Sequence, residues 1–170
     1  RFNAAGTAVW ADPVTVSSKT ISGFFFPQPV SDEEDGLYVA FNTGNPDNAS
    51  YTDVYVQRVR ANGTLWSAEG TRLDNSATTQ KFTAGKGLVL MENDGQDGLM
   101  VPMQVTDGSQ GQSGVAVQRV DTAGVRQLGN GAVTVIPVSA QYVQPWDIAA
   151  THDGAVIAHH LRHPSMTARA

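Results

Sequence analysis

Three Asp-Gly pairs punctuate the chain, and after each one the hydrophobic pattern changes in the same way. Asp35-Gly36 leads into LYVAF, Asp97-Gly98 into LMVPM and Asp153-Gly154 into AVIAH. Short runs rich in Val, Ile, Tyr, Thr and Phe, bounded by Gly, Asn and Asp, predict strands. No stretch sustains apolar residues at the i, i+3, i+4, i+7 spacing of a helix, so the pattern predicts an all-β chain with almost no helix. In the first unit strands are expected at 14–17, 28–32, 37–43 and 53–60. Asp-Gly and Asn-Gly tolerate the positive φ of tight turns and belong between adjacent strands.

The run after Asp35-Gly36 is apolar on both faces. Leu37, Val39 and Phe41 share one side, and Tyr38 and Ala40 the other. Ala155, Ile157 and His159 match the first set in the third run, and Val156 and Ala158 the second. A strand apolar on both sides is expected to be covered on both sides. Stacked four-stranded sheets provide that cover, in the manner of propeller blades. Pro102 interrupts the second run and lacks a ladder donor, which predicts a bulge or a free hydrogen-bonding edge there.

The pattern is one level of a longer repeat. Arg1, Arg58 and Arg119 are each followed five residues later by a glycine, Gly6, Gly63 and Gly124, and then by Trp10, Trp66 and Leu128. The arginines recur at intervals of 57 and 61 residues, which divides the chain into approximate units 1–56, 57–117 and 118–170. Repeats on this scale indicate stacked supersecondary units. A residue present once per unit is expected to serve packing. The arginines would lay their stems on apolar surface with their heads on backbone, and Trp10 and Trp66 would anchor one blade to the next.

This succession of Gln-Arg, Asn-Gly, Trp and Asp-Gly with a β run resembles the β-propeller repeats of large secreted or surface proteins of bacteria. The resemblance spans all 170 residues. It implies a β-propeller-like array of three four-stranded antiparallel repeats, and an extracellular or cell-surface setting. Closed propellers usually have four to eight blades. The chain is therefore expected to be a fragment of a longer protein or to associate with another copy, so its partners include the remaining blades.

Composition narrows the function classes. The 16 acidic and 11 basic residues give a net charge of -5. That balance disfavours nucleic acid, which selects basic surfaces, and no apolar run is long enough for a spanning helix. The chain has no Cys, which removes disulfides, thiolate metal sites and cysteine nucleophiles.

Candidate chemistry is sparse. Acidic turns at 31–36 and 92–98 carry Asp32, Asp35, Asp94 and Asp97, oxygen donors of the kind calcium takes. Neither has the EF-hand spacing, so solvated hairpin turns are the default and no cofactor is required. His152, His159, His160 and His163 form a His-rich tract. On a strand His159 and His160 point to opposite faces; His159 falls in an apolar column and is expected to pack, whereas His160 is expected at the surface or lining a channel. Nucleophile elbows, phosphate loops and dinucleotide fingerprints are not present, and no catalytic residue is assigned. Aromatics outside the repeat are the better binding candidates: Phe24, Phe25, Tyr142 and Trp146, with His160. The expected function is a binding or scaffolding module that recognises a glycan or a protein. The alternatives are part of a propeller-type glycoside hydrolase, sialidase or polysaccharide lyase, or a structural spacer.

Overall fold

The computed structural model describes residues 1–22, 27–83, 91–96, 98–139, 142–151 and 154–162, and for Trp146 and residues 160–162 it describes the backbone alone. All regular structure among these residues is β. The first sheet is a meander of β1 (Gln28–Ser31), β2 (Leu37–Asn45), β3 (Asn48–Val59) and β4 (Thr71–Arg72), in that order. The second contains β5 (Gln80–Thr83), β6 (Glu92–Asn93), β7 (Gly98–Thr106), β8 (Ser113–Asp121) and β9 (Val133–Ser139). Its order is β5-β7-β8-β9, with β6 also on β7. A hairpin of β10 (Tyr142–Thr151) and β11 (Gly154–Arg162) follows. All pairs are antiparallel.

The sheets are out of phase with the sequence units. Each larger sheet ends on residues that follow the next Gln-Arg turn, so the Arg58 turn lies inside the first sheet and the Arg119 turn inside the second. The expected strand at 14–17 does not form. That segment is irregular, and the fourth strand of the first sheet is Thr71–Arg72 instead.

β5 pairs with Met103 to Thr106 and β6 with Leu99 and Met100, and residues 84–90 between these two strands lie outside the described residues. The ladder to β8 runs unbroken through Pro102↔Val117. No bulge interrupts that ladder.

The alternation read from the sequence places each strand in two cores. From β2, Val39 and Phe41 join Tyr55 and Val16 in one cluster. Tyr38 and Ala40 face the other way, into a core shared with Leu99, Val101 and Met103 of β7. Met100, on the far face of β7, packs with Val117, Ile148, Leu128 and Ala155 beneath the hairpin. The third strand departs from expectation. Ala155 and Ile157 pack inward, but Val156 is 64% exposed, and Ala158 and His159 are exposed as well. His159 shares the face of Ala155 and Ile157 but lies further along β11, where it is exposed.

Candidate functional site

Asp32 closes its turn by accepting the backbone N–H groups of Glu34 and Gly36 on Oδ1, at 2.9 and 2.7 Å. Asp94 does the same with Gln96 and Gly98, at 2.8 and 3.0 Å. A side chain at Gly36 would meet the Val59 carbonyl at 2.4 Å, which is why only glycine fits beneath this turn. The second carboxylate oxygen receives the arginine of the Gln-Arg phrase. Arg58 Nε donates to Asp32 Oδ2 at 2.8 Å, and Arg119 Nε donates to Asp94 Oδ2. Arg1 reaches Asp35 at 3.0 Å. The three arginines therefore occupy separate turns and do not converge. Their heads rest mainly on carboxylates, a correction to the expected backbone contacts. These remain only as Arg1 to Ala61 O at 3.3 Å and Arg119 to Gln96 O at 3.0 Å.

Burial pulls the carboxyl groups of Asp32 and Asp94 up, but hydrogen bonds from arginine and backbone outweigh it, and both lie below the ordinary carboxylate value. The two aspartates are thus turned inward rather than solvated. Asp35 is exposed at the surface, and Asp97 lies outside the described residues. Among the described residues no three His, Asp or Glu side chains gather as a metal group would.

Three ties recur between each sheet and the segment before or after it. The first is glutamine. Gln57 donates to Val16 O at 3.1 Å and Ser67 O at 2.7 Å, and accepts the N–H of Trp66 at 3.0 Å. Gln118 donates to Leu73 O at 3.1 Å and Gly131 O at 3.2 Å, and accepts the N–H of Leu128 at 3.0 Å. The second is the indole: Trp10 Nε1 donates to Ala61 O at 2.9 Å and Trp66 Nε1 to Thr122 O at 2.6 Å. The third is an amide on the second strand. Asn42 Nδ2 donates to Lys81 O at 2.9 Å, and Gln104 Nε2 to Val143 O at 2.9 Å.

A cluster without counterpart among the described residues of the other units lies beside the first seam. Lys81 and Asp53, 0% and 1% exposed at the side chain, pair at 2.9 Å. Arg72 joins Asp53 at 2.6 Å and Asp47 at 2.6 Å. Lys81 also donates to the Ser76 carbonyl. Burial pushes the Asp53 carboxyl up against the pull of these cations. Sequence reading missed this cluster. Asp53 was legible only as the start of the strand expected at 53–60, and Lys81 stands in the polar stretch SATTQK.

The two seams differ in how closely they shut. In the first, Tyr38 and Trp66 bring ring centroids to 5.4 Å, with the Arg58 guanidinium 5.5 Å from the Tyr38 ring centre. In the second, Met100 and Leu128 take these places. A cleft of about 250 Å³ remains, lined by Asp94, Gln96, Met100, Arg119, Leu128 and Thr151. A shallower groove lies between Ile21, Thr43, Asn45 and Thr52, with Lys19 at its margin bonded to Glu69 at 3.0 Å.

Of the aromatic binding candidates, Tyr142 is 39% exposed at the start of β10. Trp146 falls at the register shift between Pro145 and Asp147. His160 pairs with Gln144 through its backbone. Phe24 and Phe25 lie outside the described residues. No known family, curated protein or solved structure matches the chain.

Proposed function

We propose that the chain is a non-catalytic binding or scaffolding module of β-propeller type, belonging to a secreted or surface protein and recognising a glycan or a protein. One observation carries the reading. The buried carboxylates, Asp32, Asp53 and Asp94, are each held by an arginine or lysine that also fixes the fold. Such groups serve architecture and are poorly placed to exchange protons with a substrate. The meander order of the two larger sheets and their shared core support the propeller arrangement.

The exposed outer face of the hairpin, with Val156, supports further blades of the same protein or another copy as partners. The hydrolase reading would require a pair of carboxylates flanking a substrate cleft. The 250 Å³ cleft contains Asp94, which is already bound to Arg119. Presenting the chain to arrayed polysaccharides, with turnover followed on the same panel, tests the proposal. Saturable retention without product supports it. Cleavage that disappears on replacing a carboxylate overturns it.

A further inference from the structure

The turn after each repeated arginine folds the same way. Asn3, Arg60 and Asp121 donate their N–H to the carbonyl four residues on, at 3.0, 2.9 and 3.0 Å. Gly6, Gly63 and Gly124 donate back to these residues at 2.9, 2.8 and 2.9 Å. Two of the three turns are covered. The carbonyl third after the arginine accepts an indole N–H, Ala61 from Trp10 and Thr122 from Trp66. A methyl group at Gly63 would stand 3.7 Å from the Trp10 indole, and one at Gly124 would stand 3.0 Å from the Trp66 ring. Thr71 adds a bond to the Gly124 carbonyl at 2.7 Å. The first turn has the same backbone and no cover. A methyl group at Gly6 would meet nothing within 4 Å. Ala4, in the place of Ala61 and Thr122, is exposed, and among the described residues nothing donates to its carbonyl. Phe2 is 72% exposed, whereas Val59 and Val120, in its place, are 1% and 0% exposed.

We propose that the Arg1 turn is a docking site for a protein segment carrying the repeat's own glycine–tryptophan phrase, supplied by a unit of this kind outside residues 1–170. The indole N–H of that segment bonds the Ala4 carbonyl and its ring lies over Gly6, with Phe2 extending the apolar surface beside it. An indole joins a large apolar area to one directed hydrogen bond, so it both seals such a turn and fixes its own position there. A second copy of this chain is not the occupant. Its Trp10 and Trp66 are spent on its own turns, and Leu128, in the third place, has no side-chain N–H. The seam therefore has a direction, with the indole of one unit meeting the turn of the next. The site stands on the turn geometry; the source of the segment rests on the reading that further blades are partners.

The probe is the peptide GTLWSAEGTR, residues 63–72, which carries the Trp66 and Thr71 that cover the Gly124 turn. It is titrated into the full chain while the backbone amide resonances of Gly6, Gly63 and Gly124 are followed. A saturable shift at Gly6, with Gly63 and Gly124 still, is expected at a Kd of about 1 mM, the scale for a flexible peptide that must be ordered on binding. The same peptide with Trp66→Ala is expected to bind at least tenfold more weakly. Gly6→Asn puts a side chain where the indole goes, in a residue type that tolerates positive φ, and is expected to weaken the parent peptide at least tenfold. The peptide variant keeps the test valid should Gly6→Asn disturb the turn. No saturable shift at Gly6, equal shifts at all three glycines, or equal binding of the alanine peptide would each overturn the proposal. So would a shift at Gly6 on concentrating the chain alone, which would make a second copy the occupant. Any of these results leaves recognition of a glycan standing, because the polysaccharide array reads that separately.

Discussion

Gln118 reaches out of its own strand and donates to the carbonyl of Leu73, 3.1 Å away in the segment that closes the preceding sheet. Its side chain is fully buried, and so is its bond to Leu73. Removing it strands several backbone groups at once, at a cost of about 2 kcal/mol or more. Gln118→Ala and Gln57→Ala are each expected to lower stability by about 2–3 kcal/mol in urea unfolding. Gln127→Ala, at an exposed position, is expected to change it by less than about 0.5 kcal/mol.

Acid should loosen the two arginine turns. Asp32 and Asp94 are held below the ordinary carboxylate value of 3.8 in the fold, chiefly by their arginines once burial is overcome. A carboxyl depressed by folding stabilises the native state at pH above its unfolded value, and that contribution fades as pH falls from there through the folded value. Stability measured from pH 6 down to about pH 2 should therefore drop below the ordinary carboxylate range. In Asp32→Asn the drop should be smaller, because one titrating group is gone.

The Lys81–Asp53 pair predicts an asymmetry. Lys81→Met leaves Asp53 buried with Arg72 as its remaining cation, and is expected to destabilise by about 3 kcal/mol. Lys81→Met combined with Asp53→Leu removes both charges and should recover much of that loss. A double-mutant cycle in denaturant measures the coupling. Additive losses would show that the pair contributes no mutual stabilisation.

Trp66 is the indole that shuts the first seam. Trp66→Leu reproduces the residue found in the second seam, loses the 2.6 Å bond to Thr122 and uncovers Tyr38. The expected cost is about 2–3 kcal/mol. Trp66→Phe keeps most of the ring and should cost about half as much, which thermal unfolding of the two variants would resolve.

Much of this architecture was legible because it depends on local chemistry. The period-2 alternation of 37–41 assigned Tyr38 and Phe41 to opposite cores, and Asp35-Gly36 and Asn62-Gly63 marked real turns. The Trp anchors were legible from their recurrence. Other features required three dimensions. Gln57 and Gln118 stand beside the repeated arginines, and only the fold shows that the glutamines reach the preceding segment while the arginines stay within their turns. Lys81 is buried by neighbours from β3, nearly 30 residues earlier, which polarity along the strand does not reveal. His159 shares an apolar column with Phe41 and Met103 but is exposed, although Ala155 and Ile157 on the same face of β11 pack inward, because a residue's column does not say how far along the strand the cover extends. The cleft was invisible for a related reason: it arises from Met100 and Leu128 standing where Tyr38 and Trp66 stand, an equivalence set by register.

Side-chain amides clamp each of the two larger sheets to the segment that precedes it, and the exchange of those amide protons with D₂O tests this most directly. The Nε2 protons of Gln57 and Gln118 should exchange slowly and to similar degrees, well behind those of Gln127. Exchange of both at the rate of an exposed glutamine, in the folded protein, would contradict it.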